Sequence, residues 1–141
     1  MKRKRLTVED LMSTAVISLK ETDTVGRAHL EMHIASIRHI PVVDARDHVV
    51  GILSNRDLIR ALAEGRTQML VGQIMTRAVR TVRATTPAYE AAEAMLAGKF
   101  GSLPVVGDDQ QLIGIVTETD FVQVAQQALQ GVQVGARPLE A

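Results

Sequence analysis

Two short motifs place a hydroxyl three residues before a carboxylate, where a strand is expected to give way to a helix. They are Ser54-x-x-Asp57 in GILSNRD and Thr117-x-x-Asp120 in GIVTETD. A hydroxyl at a helix N-cap with an acid at the third helical residue is a capping pattern, worth about 1 kcal/mol per helix. The pattern also suits a nucleotide, because a helix N-terminus attracts phosphate and a carboxylate can accept hydrogen bonds from both hydroxyls of a ribose. The residues alone leave both interpretations open.

Other residues near each motif could complete such a ligand site. Gly51 and Gly114 would keep the preceding strand slim, so that a ligand could approach its backbone. Aliphatic side chains could form walls around a flat base, and the candidates are Val16 and Ile40 in one half of the chain and Val79 and Leu103 in the other.

The two motifs belong to a repeat with an interval of 63 residues. Residues 8–63 align with residues 71–126 without a gap, with 13 identical pairs in 56 positions. Chance would give roughly four identities at average residue usage. The identical pairs fall on apolar and turn positions, such as Pro41 with Pro104. The chain is therefore predicted to be one structural unit written twice.

Each repeat predicts the same order of elements: a helical turn, a strand, an amphipathic helix, a β-hairpin and a last helix. In the first repeat these are Val8–Met12, Val16–Leu19, a helix capped by Asp23 or Thr24, strands Ile40–Val43 and Val49–Leu53, and helix Arg56–Ala63. In the second they are Val71–Met75, Val79–Arg83, a helix capped by Thr86 with Pro87 at its first position, strands Leu103–Val106 and Leu112–Val116, and helix Thr119–Leu129.

One β-α-β-β-α unit of about 55 residues would leave a face of its small sheet uncovered. Two units packed through their sheets would bury both faces, so we expect an α+β fold with pseudo-twofold symmetry. The expected organisation is a basic flexible N-terminus (1–7), repeat 1 (8–63), a connector (64–70), repeat 2 (71–130) and a flexible tail (131–141).

Composition excludes several functional classes. The 141 residues are 46 % apolar but only 2 % aromatic, so the core must be aliphatic, and the absence of Cys excludes thiol catalysis and disulfides. Sixteen basic residues balance sixteen acidic ones, which argues against a protein that coats nucleic acid. The basic run Lys2–Arg5 is interpreted as a solvated terminus.

Targeting signals are not evident either. No apolar run approaches the roughly 18 residues of a membrane span. The basic start is not followed by an apolar segment of the kind found in secretory signals, so a cytoplasmic location is expected.

The order of motifs resembles a tandem pair of CBS domains, a Bateman module. The segments that carry the resemblance are DLMSTAVISL, IRHIPVVD and VVGILSNRDL, then QIMTRAVRTV, FGSLPVVG and LIGIVTETDF, and they cover residues 8–126. The resemblance implies two β-α-β-β-α repeats joined through their sheets, two clefts, and dimerisation into a flat disc through the helices. It also implies regulatory binding of adenosine-containing ligands, namely AMP, ADP, ATP, S-adenosylmethionine, and in some members NAD(H) or a cyclic dinucleotide.

The resemblance assigns roles to the repeated motifs. It implies that Asp57 and Asp120 take the ribose hydroxyls, with Ser54 and Thr117 beside the ribose and phosphate. Thr86 would reach the ligand held by Asp57, because the clefts are shared between repeats. The remaining implied nucleotide contacts are phosphate-facing His39, Arg56, Ser102 and Thr119, backbone near Val16 and Val79 at the adenine edge, and the strand residues Ile40, Pro41, Leu103 and Pro104.

The two clefts are expected to differ in charge. The Asp57 cleft would offer Arg56 and a second possible cation in His39, whereas the other cleft offers only Thr119 and Ser102. We therefore expect the Asp57 cleft to hold the tighter or more highly phosphorylated ligand.

No catalytic constellation accompanies these motifs, so the chain is predicted not to be an enzyme. No nucleophile–base pair or Gly-rich phosphate loop is present. His29 and His33 share a helix face, but with no third ligand they are interpreted as a polar face or dimer contact and not as a metal site.

The sequence thus favours a stand-alone regulatory module that needs no cofactor, forms a homodimer and signals to an effector protein. The alternatives are a ligand-free dimerisation scaffold and, through Lys2–Arg5, nucleic-acid binding.

Overall fold

The computed structural model describes residues 5–131. Most of its helices and strands agree with the predicted ones within two residues, and the two early strands are the exceptions. In chain order the elements are α1 (Val8–Leu11), α2 (Val25–Ala35), β1 (His39–Val43), β2 (Val49–Ser54), α3 (Asn55–Ala63), α4 (Val71–Ile74), β3 (Val82–Arg83), α5 (Ala88–Gly98), β4 (Ser102–Val106), β5 (Leu112–Thr117) and α6 (Glu118–Gly131).

An antiparallel hairpin forms the centre of each small sheet. Strand β1 pairs with β2, and β4 pairs with β5 in the equivalent register. In the second repeat, strand β3 pairs with β4 in parallel. In the first repeat the equivalent segment pairs with β1 only through Leu19, which forms a single parallel bridge to Val42. The predicted strands Val16–Leu19 and Val79–Arg83 are therefore too long, because only their last residues reach the edge of a hairpin.

The first helical turn of each repeat packs on the other repeat. Val8 in α1 is buried in the core of the second repeat, and its N–H donates to the carbonyl of Thr86 at 2.8 Å. Val71 in α4 is buried in the core of the first repeat, and its N–H donates to the carbonyl of Asp23 at 2.7 Å. Each core therefore takes in a valine from the other repeat.

Two backbone bridges continue this exchange. Ser13 pairs with Ile115 on β5, and Thr76 pairs with Ile52 on β2. Residues 13–19 therefore cross from the sheet of the second repeat to that of the first, and residues 76–82 cross in the opposite sense.

The glycines that precede the two motifs make room for this exchange. A Cβ on Gly51 would lie 2.5 Å from the Sδ atom of Met75, and one on Gly114 would lie 2.8 Å from the carbonyl oxygen of Ser13. The expectation that these glycines open the strand to a ligand is therefore wrong, because a segment of the same chain occupies that space.

Aliphatic side chains fill both cores, as the composition requires. The largest fully buried side chains are Leu19, Val25, Ile40, Val42, Leu53, Leu58 and Val71 in the first core, and Val8, Leu103, Val105 and Val116 in the second.

The two repeats meet at equivalent residues of their hairpins. His48 and Gln111, which are 63 residues apart, form an antiparallel bridge, and the N–H of Leu112 donates to the carbonyl of Asp47 at 2.9 Å. Pairing between equivalent positions is what a pseudo-twofold axis requires, so the axis passes beside this bridge.

The helix caps are partly as predicted. The Thr24 hydroxyl caps α2 by accepting from the N–H of Arg27 at 3.2 Å. The predicted cap at Thr86 is wrong, because Pro87 is the N-cap of α5 and the Thr86 hydroxyl instead accepts from the N–H of Arg83 at 3.0 Å.

The longest helix is α6, with 14 residues. Within residues 5–131, no helix is long and apolar enough to cross a membrane.

Candidate functional site

The first motif forms a capping box at the start of α3. One carboxylate oxygen of Asp57, Oδ2, accepts from the Ser54 hydroxyl at 2.9 Å and from the Ser54 N–H at 3.4 Å, and the Ser54 hydroxyl accepts from the N–H of Asp57 at 3.1 Å. The other oxygen, Oδ1, has no hydrogen-bond partner within residues 5–131. The structural role therefore uses only one of the two oxygens.

The second motif makes two of these three hydrogen bonds at the start of α6. Oδ2 of Asp120 accepts from the N–H of Thr117 at 2.8 Å and from its hydroxyl at 3.3 Å. Its Oδ1 likewise has no partner in the described part of the chain. Capping and ligand binding are thus compatible, because each carboxylate keeps an unused acceptor at a positive helix end.

His39 lies where the two repeats meet. It pairs with Ser54 across the first hairpin, and its imidazole packs against Gly101 and near Glu118 of the second repeat. Burial lowers the pKa of His39 below 6.5 and Arg38 lowers it further, although Glu118 and Asp57 oppose the shift. The lowered pKa favours the neutral imidazole, and the role of His39 as a second possible cation toward a ligand stays a prediction.

Ser102 is the counterpart of His39 in the second repeat. Its side chain is only 5 % exposed, and its Oγ has no hydrogen-bond partner among the described residues. A buried hydroxyl without a partner costs about 1–3 kcal/mol. At such an atom a water molecule or a ligand could supply the hydrogen bond.

Two of the expected cleft walls belong to the cores instead. Ile40 and Leu103 are both 0 % exposed, and each packs within the core of its own repeat. Their side chains therefore cannot enclose a base in an open cleft. The neighbouring prolines, Pro41 and Pro104, are buried as well.

The other two expected walls lie on the crossing segments and are half-buried. Val79 follows Thr76, which pairs with Ile52 two residues before Ser54. The Val79 segment therefore borders the Asp57 motif. By the equivalent bridge from Ser13 to Ile115, the Val16 segment borders the Asp120 motif, so each valine lies on a segment that pairs with the hairpin of the other repeat.

A surface pocket of about 160 Å³ opens beside Asp57. Ligand pockets are typically about 300–1,000 Å³, so an occupant would extend beyond this depression. The pocket confirms that α4 adjoins α3, because its lining is Asp57, Arg60, Ala61, Glu64, Arg66 and Ile74.

The remaining predicted contacts lie around the two helix starts. Arg56 and Thr119, each just before an Asp, are exposed. Thr86 is half-buried, and both its hydroxyl and its carbonyl accept from backbone N–H groups. Its reach toward a ligand held by Asp57 stays a prediction.

A second pocket, of about 280 Å³, is lined by His29, Met32, His33, Ser36 and Asn55. The two imidazoles stack with ring centroids 6.4 Å apart. Within residues 5–131, no cluster of three or more His, Asp or Glu side chains could hold a metal ion.

Comparison with known proteins identifies the repeats. The family profile of the CBS domain matches residues 8–64 and 71–126. The chain belongs to the CBS-domain family.

Relatives of this CBS pair include enzymes and stand-alone pairs. Inosine-5'-monophosphate dehydrogenase of Methanocaldococcus jannaschii is 36 % identical over 115 residues, which is 82 % of this chain but 23 % of that protein. This CBS pair thus spans about a quarter of the length of that relative.

Two solved CBS pairs share the architecture. The pair of protein MJ0100, in complex with 5'-methylthioadenosine and S-adenosyl-L-methionine, has a TM-score of 0.82 at 28 % identity and covers 88 % of this chain and 98 % of its own. CBSX2 of Arabidopsis thaliana in complex with AMP has a TM-score of 0.76 at 30 % identity and covers 87 % and 98 %.

Three charged residues near the two motifs of this CBS pair were not predicted from the sequence. Glu118 approaches His39 across the repeats, and Arg60 and Arg66 line the pocket beside Asp57. The repeat alignment contains a signal for two of them, because the positions equivalent to Glu118 and Arg60 hold Asn55 and Gln123, whereas Arg66 lies in the connector. Positions where repeats differ in charge are candidates for function specific to one repeat.

Proposed function

We propose that this CBS pair is a regulatory module that binds an adenosine-containing ligand in clefts between its repeats. The observation that carries the proposal is the unused Oδ1 oxygen of Asp57 and Asp120, each at the N-terminus of a helix. A carboxylate in that position can accept a ribose hydroxyl while its second oxygen continues to cap the helix. The proposed ligand is of the AMP, ADP or ATP class, and S-adenosylmethionine and NAD(H) are further candidates.

Two further observations support the proposal. The buried Ser102 hydroxyl lacks a partner that a ligand or its water could supply. Related CBS pairs have been solved with AMP, and with 5'-methylthioadenosine and S-adenosyl-L-methionine. The match to the dehydrogenase covers only the CBS part of that larger protein, which supports a regulatory role and not a catalytic one.

The interleaved fold offers a mechanism for signalling. The Asp57 cleft is bordered by α3 of the first repeat and by the segment after α4 of the second. A ligand that contacts both favours the arrangement of repeats that it fits best, and so shifts the population toward it. An effector protein would read the altered surface. We also propose a cytoplasmic location. Fractionation of the producing cells should find the protein in the cytoplasmic fraction.

A homodimer is part of the proposal. Several large apolar side chains are exposed on the helices of both repeats, and a second copy of the chain would cover them. These side chains are Leu30, Ile34 and Ile59 in the first repeat, and Tyr89, Leu96, Val122 and Leu129 in the second.

The alternative function is a ligand-free dimerisation scaffold. Its support is that Asp57 and Asp120 already accept capping hydrogen bonds without a ligand and that the apolar helix faces are exposed. In that case the SxxD and TxxD motifs only stabilise helices.

Thermal unfolding with single ligands separates the two functions. We expect AMP, ADP, ATP, NADH, S-adenosylmethionine or a cyclic dinucleotide to raise the Tm, with about 2.7 kcal/mol of stabilisation at a hundred times its Kd. The double variant Asp57→Ala/Asp120→Ala should remain folded and lose the shift. No rise with any of these ligands would favour the scaffold.

A further inference from the structure

The imidazole of His39 and the carboxylate of Glu118 meet across the boundary between the repeats. The Cε1 and Nε2 atoms of His39 each lie 2.9 Å from the point where a Cβ on Gly101 would stand, and Oε1 of Glu118 lies 3.1 Å from the same point. The ring nitrogen and the carboxylate oxygen are therefore no more than about 6 Å apart. Only a glycine at position 101 leaves room for this approach.

Three charged groups face His39 from the elements around it. Arg38 precedes it at the start of β1, Asp57 lies in the first turn of α3, and Glu118 is the first residue of α6. Burial lowers the pKa of His39 and so favours its neutral form in the absence of further negative charge. The two carboxylates favour the protonated imidazole of His39 and the guanidinium opposes it, so additional negative charge nearby would favour uptake of a proton.

A ligand held at Asp57 would bring that charge. His39 and Asp57 are close enough to interact electrostatically, and both lie next to Ser54. The 5' substituent of a ribose on Asp57 therefore falls within reach of the imidazole. A phosphate there favours the imidazolium form, both by charge and by accepting its N–H.

We propose that binding of a 5'-phosphorylated adenosine ligand in the Asp57 cleft takes up one proton at His39, and that Glu118 of the second repeat stabilises the resulting imidazolium. The proposal rests on the proposed function, because it needs a nucleotide on Asp57. The proton comes from solvent and adds to the free ring nitrogen, and no covalent bond to the ligand forms.

The coupling is confined to one of the two clefts. At the positions of His39 and Asn55 in the first repeat, the second repeat carries Ser102 and Glu118. The Asp120 cleft therefore has no imidazole at the equivalent place. Ligand affinity would depend on pH through His39 in the Asp57 cleft and would have no such dependence in the Asp120 cleft. The module would therefore respond to both pH and nucleotide concentration.

Linkage sets the size of the effect. Uptake of one proton makes the association constant rise by up to about tenfold for each pH unit of acidification, in the range where free His39 is neutral and bound His39 is charged. A ligand without phosphate, such as adenosine, should show no such dependence through His39.

Calorimetry with AMP and adenosine tests the coupling. Titration at pH 7.5 in buffers of different ionisation enthalpy gives the number of protons taken up, and this pH leaves the phosphate of AMP itself mostly dianionic. We expect uptake approaching one proton for AMP and none for adenosine. His39→Gln should abolish the uptake, and His48→Gln, in a hairpin turn outside the cleft, should not.

The role of Glu118 needs its own variant. Glu118→Gln should weaken AMP binding by about threefold at pH 6.5, the effect of one charge about 6 Å away in a water-like medium, and leave adenosine binding unchanged. The Cε1–H resonance of His39 should report a higher pKa with AMP than without it, and the His39→Gln variant assigns that resonance.

The outcomes separate this inference from the function on which it rests. If AMP binds with no proton uptake beyond that of His39→Gln, the coupling is wrong and the nucleotide-binding function stands. If the folded protein binds neither AMP nor adenosine, this inference is overturned, and thermal unfolding with the other ligands then decides the proposed function.

Discussion

The backbones of Ser13 and Ile115 exchange two hydrogen bonds, of 2.9 and 3.0 Å, although the residues belong to different repeats. This bridge fixes α1 on the second repeat, and the equivalent bridge between Thr76 and Ile52 fixes α4 on the first. The exchange makes each core depend on a distant segment and predicts how truncations and core mutations behave.

Val8→Ala should destabilise the second repeat and not the first. Val8 is 0 % exposed and packs in the second core, so removing its methyl groups should cost about 2 kcal/mol. Hydrogen exchange should show lower protection in β4 and β5 than in β1 and β2. Val71→Ala is the matched variant and should reverse the pattern. Equal loss in both hairpins for either variant would contradict the exchange.

Alanine at three glycines should give three different changes in stability. Gly114→Ala places a Cβ 2.8 Å from a backbone oxygen, so it should cost about 2–3 kcal/mol. Gly51→Ala meets the flexible side chain of Met75 and should cost about 1 kcal/mol. Gly26→Ala, in α2 with no atom closer than 3.6 Å, should stabilise by about 0.5–1 kcal/mol. Urea unfolding of the three variants measures this order.

Asp57→Ala and Asp120→Ala should each lose ligand binding and some stability. Loss of a hydrogen bond to a charged group predicts about tenfold to a hundredfold weaker binding, and loss of the cap about 1 kcal/mol of stability. Asp10→Ala is the matched control, because Asp10 accepts from the N–H of Thr7 at 2.8 Å in the same capping pattern outside both clefts. The Asp10→Ala variant should lose stability but bind the ligand as tightly as the native chain. Equal loss of binding from all three variants would show that the motifs act only through folding.

Stability should fall as the pH drops below about 6.5 because of His39. Its folded-state pKa is lowered, chiefly by burial, so the unfolded chain binds more protons in that range. The contribution is complete above the unfolded pKa and is lost as the pH falls through the folded one. Urea unfolding between pH 8 and pH 5 should show a shallower pH dependence for His39→Gln than for the native chain. Identical slopes would mean that His39 titrates alike in both states.

Charged residues introduced on the exposed apolar helix faces should prevent dimerisation. Ile59 and Val122 occupy equivalent positions on α3 and α6 and are 56 % and 65 % exposed. Ile59→Glu/Val122→Glu would bury two carboxylates in an apolar interface, so the mass in sedimentation should fall from twice 15.3 kDa to 15.3 kDa. Leu70→Glu, outside these helices, should leave the mass unchanged. A native chain that already sediments as a monomer would refute the dimer.

The amino-acid sequence was sufficient to predict the repeat, the order of elements and the two capping motifs. These features depend on interactions within a few residues. Helix and strand periodicity requires only neighbours along the chain, and the hydrogen bonds of Ser54 to Asp57 and of Thr117 to Asp120 span three residues. Local chemistry therefore determines them wherever the segment lies.

The site was only partly predictable, because some of its residues meet over long separations. His39 and Glu118 are 79 residues apart, and the Asn at the equivalent position of the first repeat gave no reason to expect an acid beside an imidazole. Ile40 and Leu103 were expected to be walls, but the alternation of β1 and β4 does not say which faces are covered, since both faces are buried.

The exchange of α1 and α4 was decided by tertiary structure alone. Val8 and Val71 are the same residue in the same local pattern, so either core could accept either side chain with equal burial. Sequence periodicity cannot distinguish a turn that packs on its own repeat from one that packs on the other. The crossing of the chain at Ser13–Ile115 and Thr76–Ile52 makes that choice, because it gives backbone groups of β5 and β2 their hydrogen-bond partners.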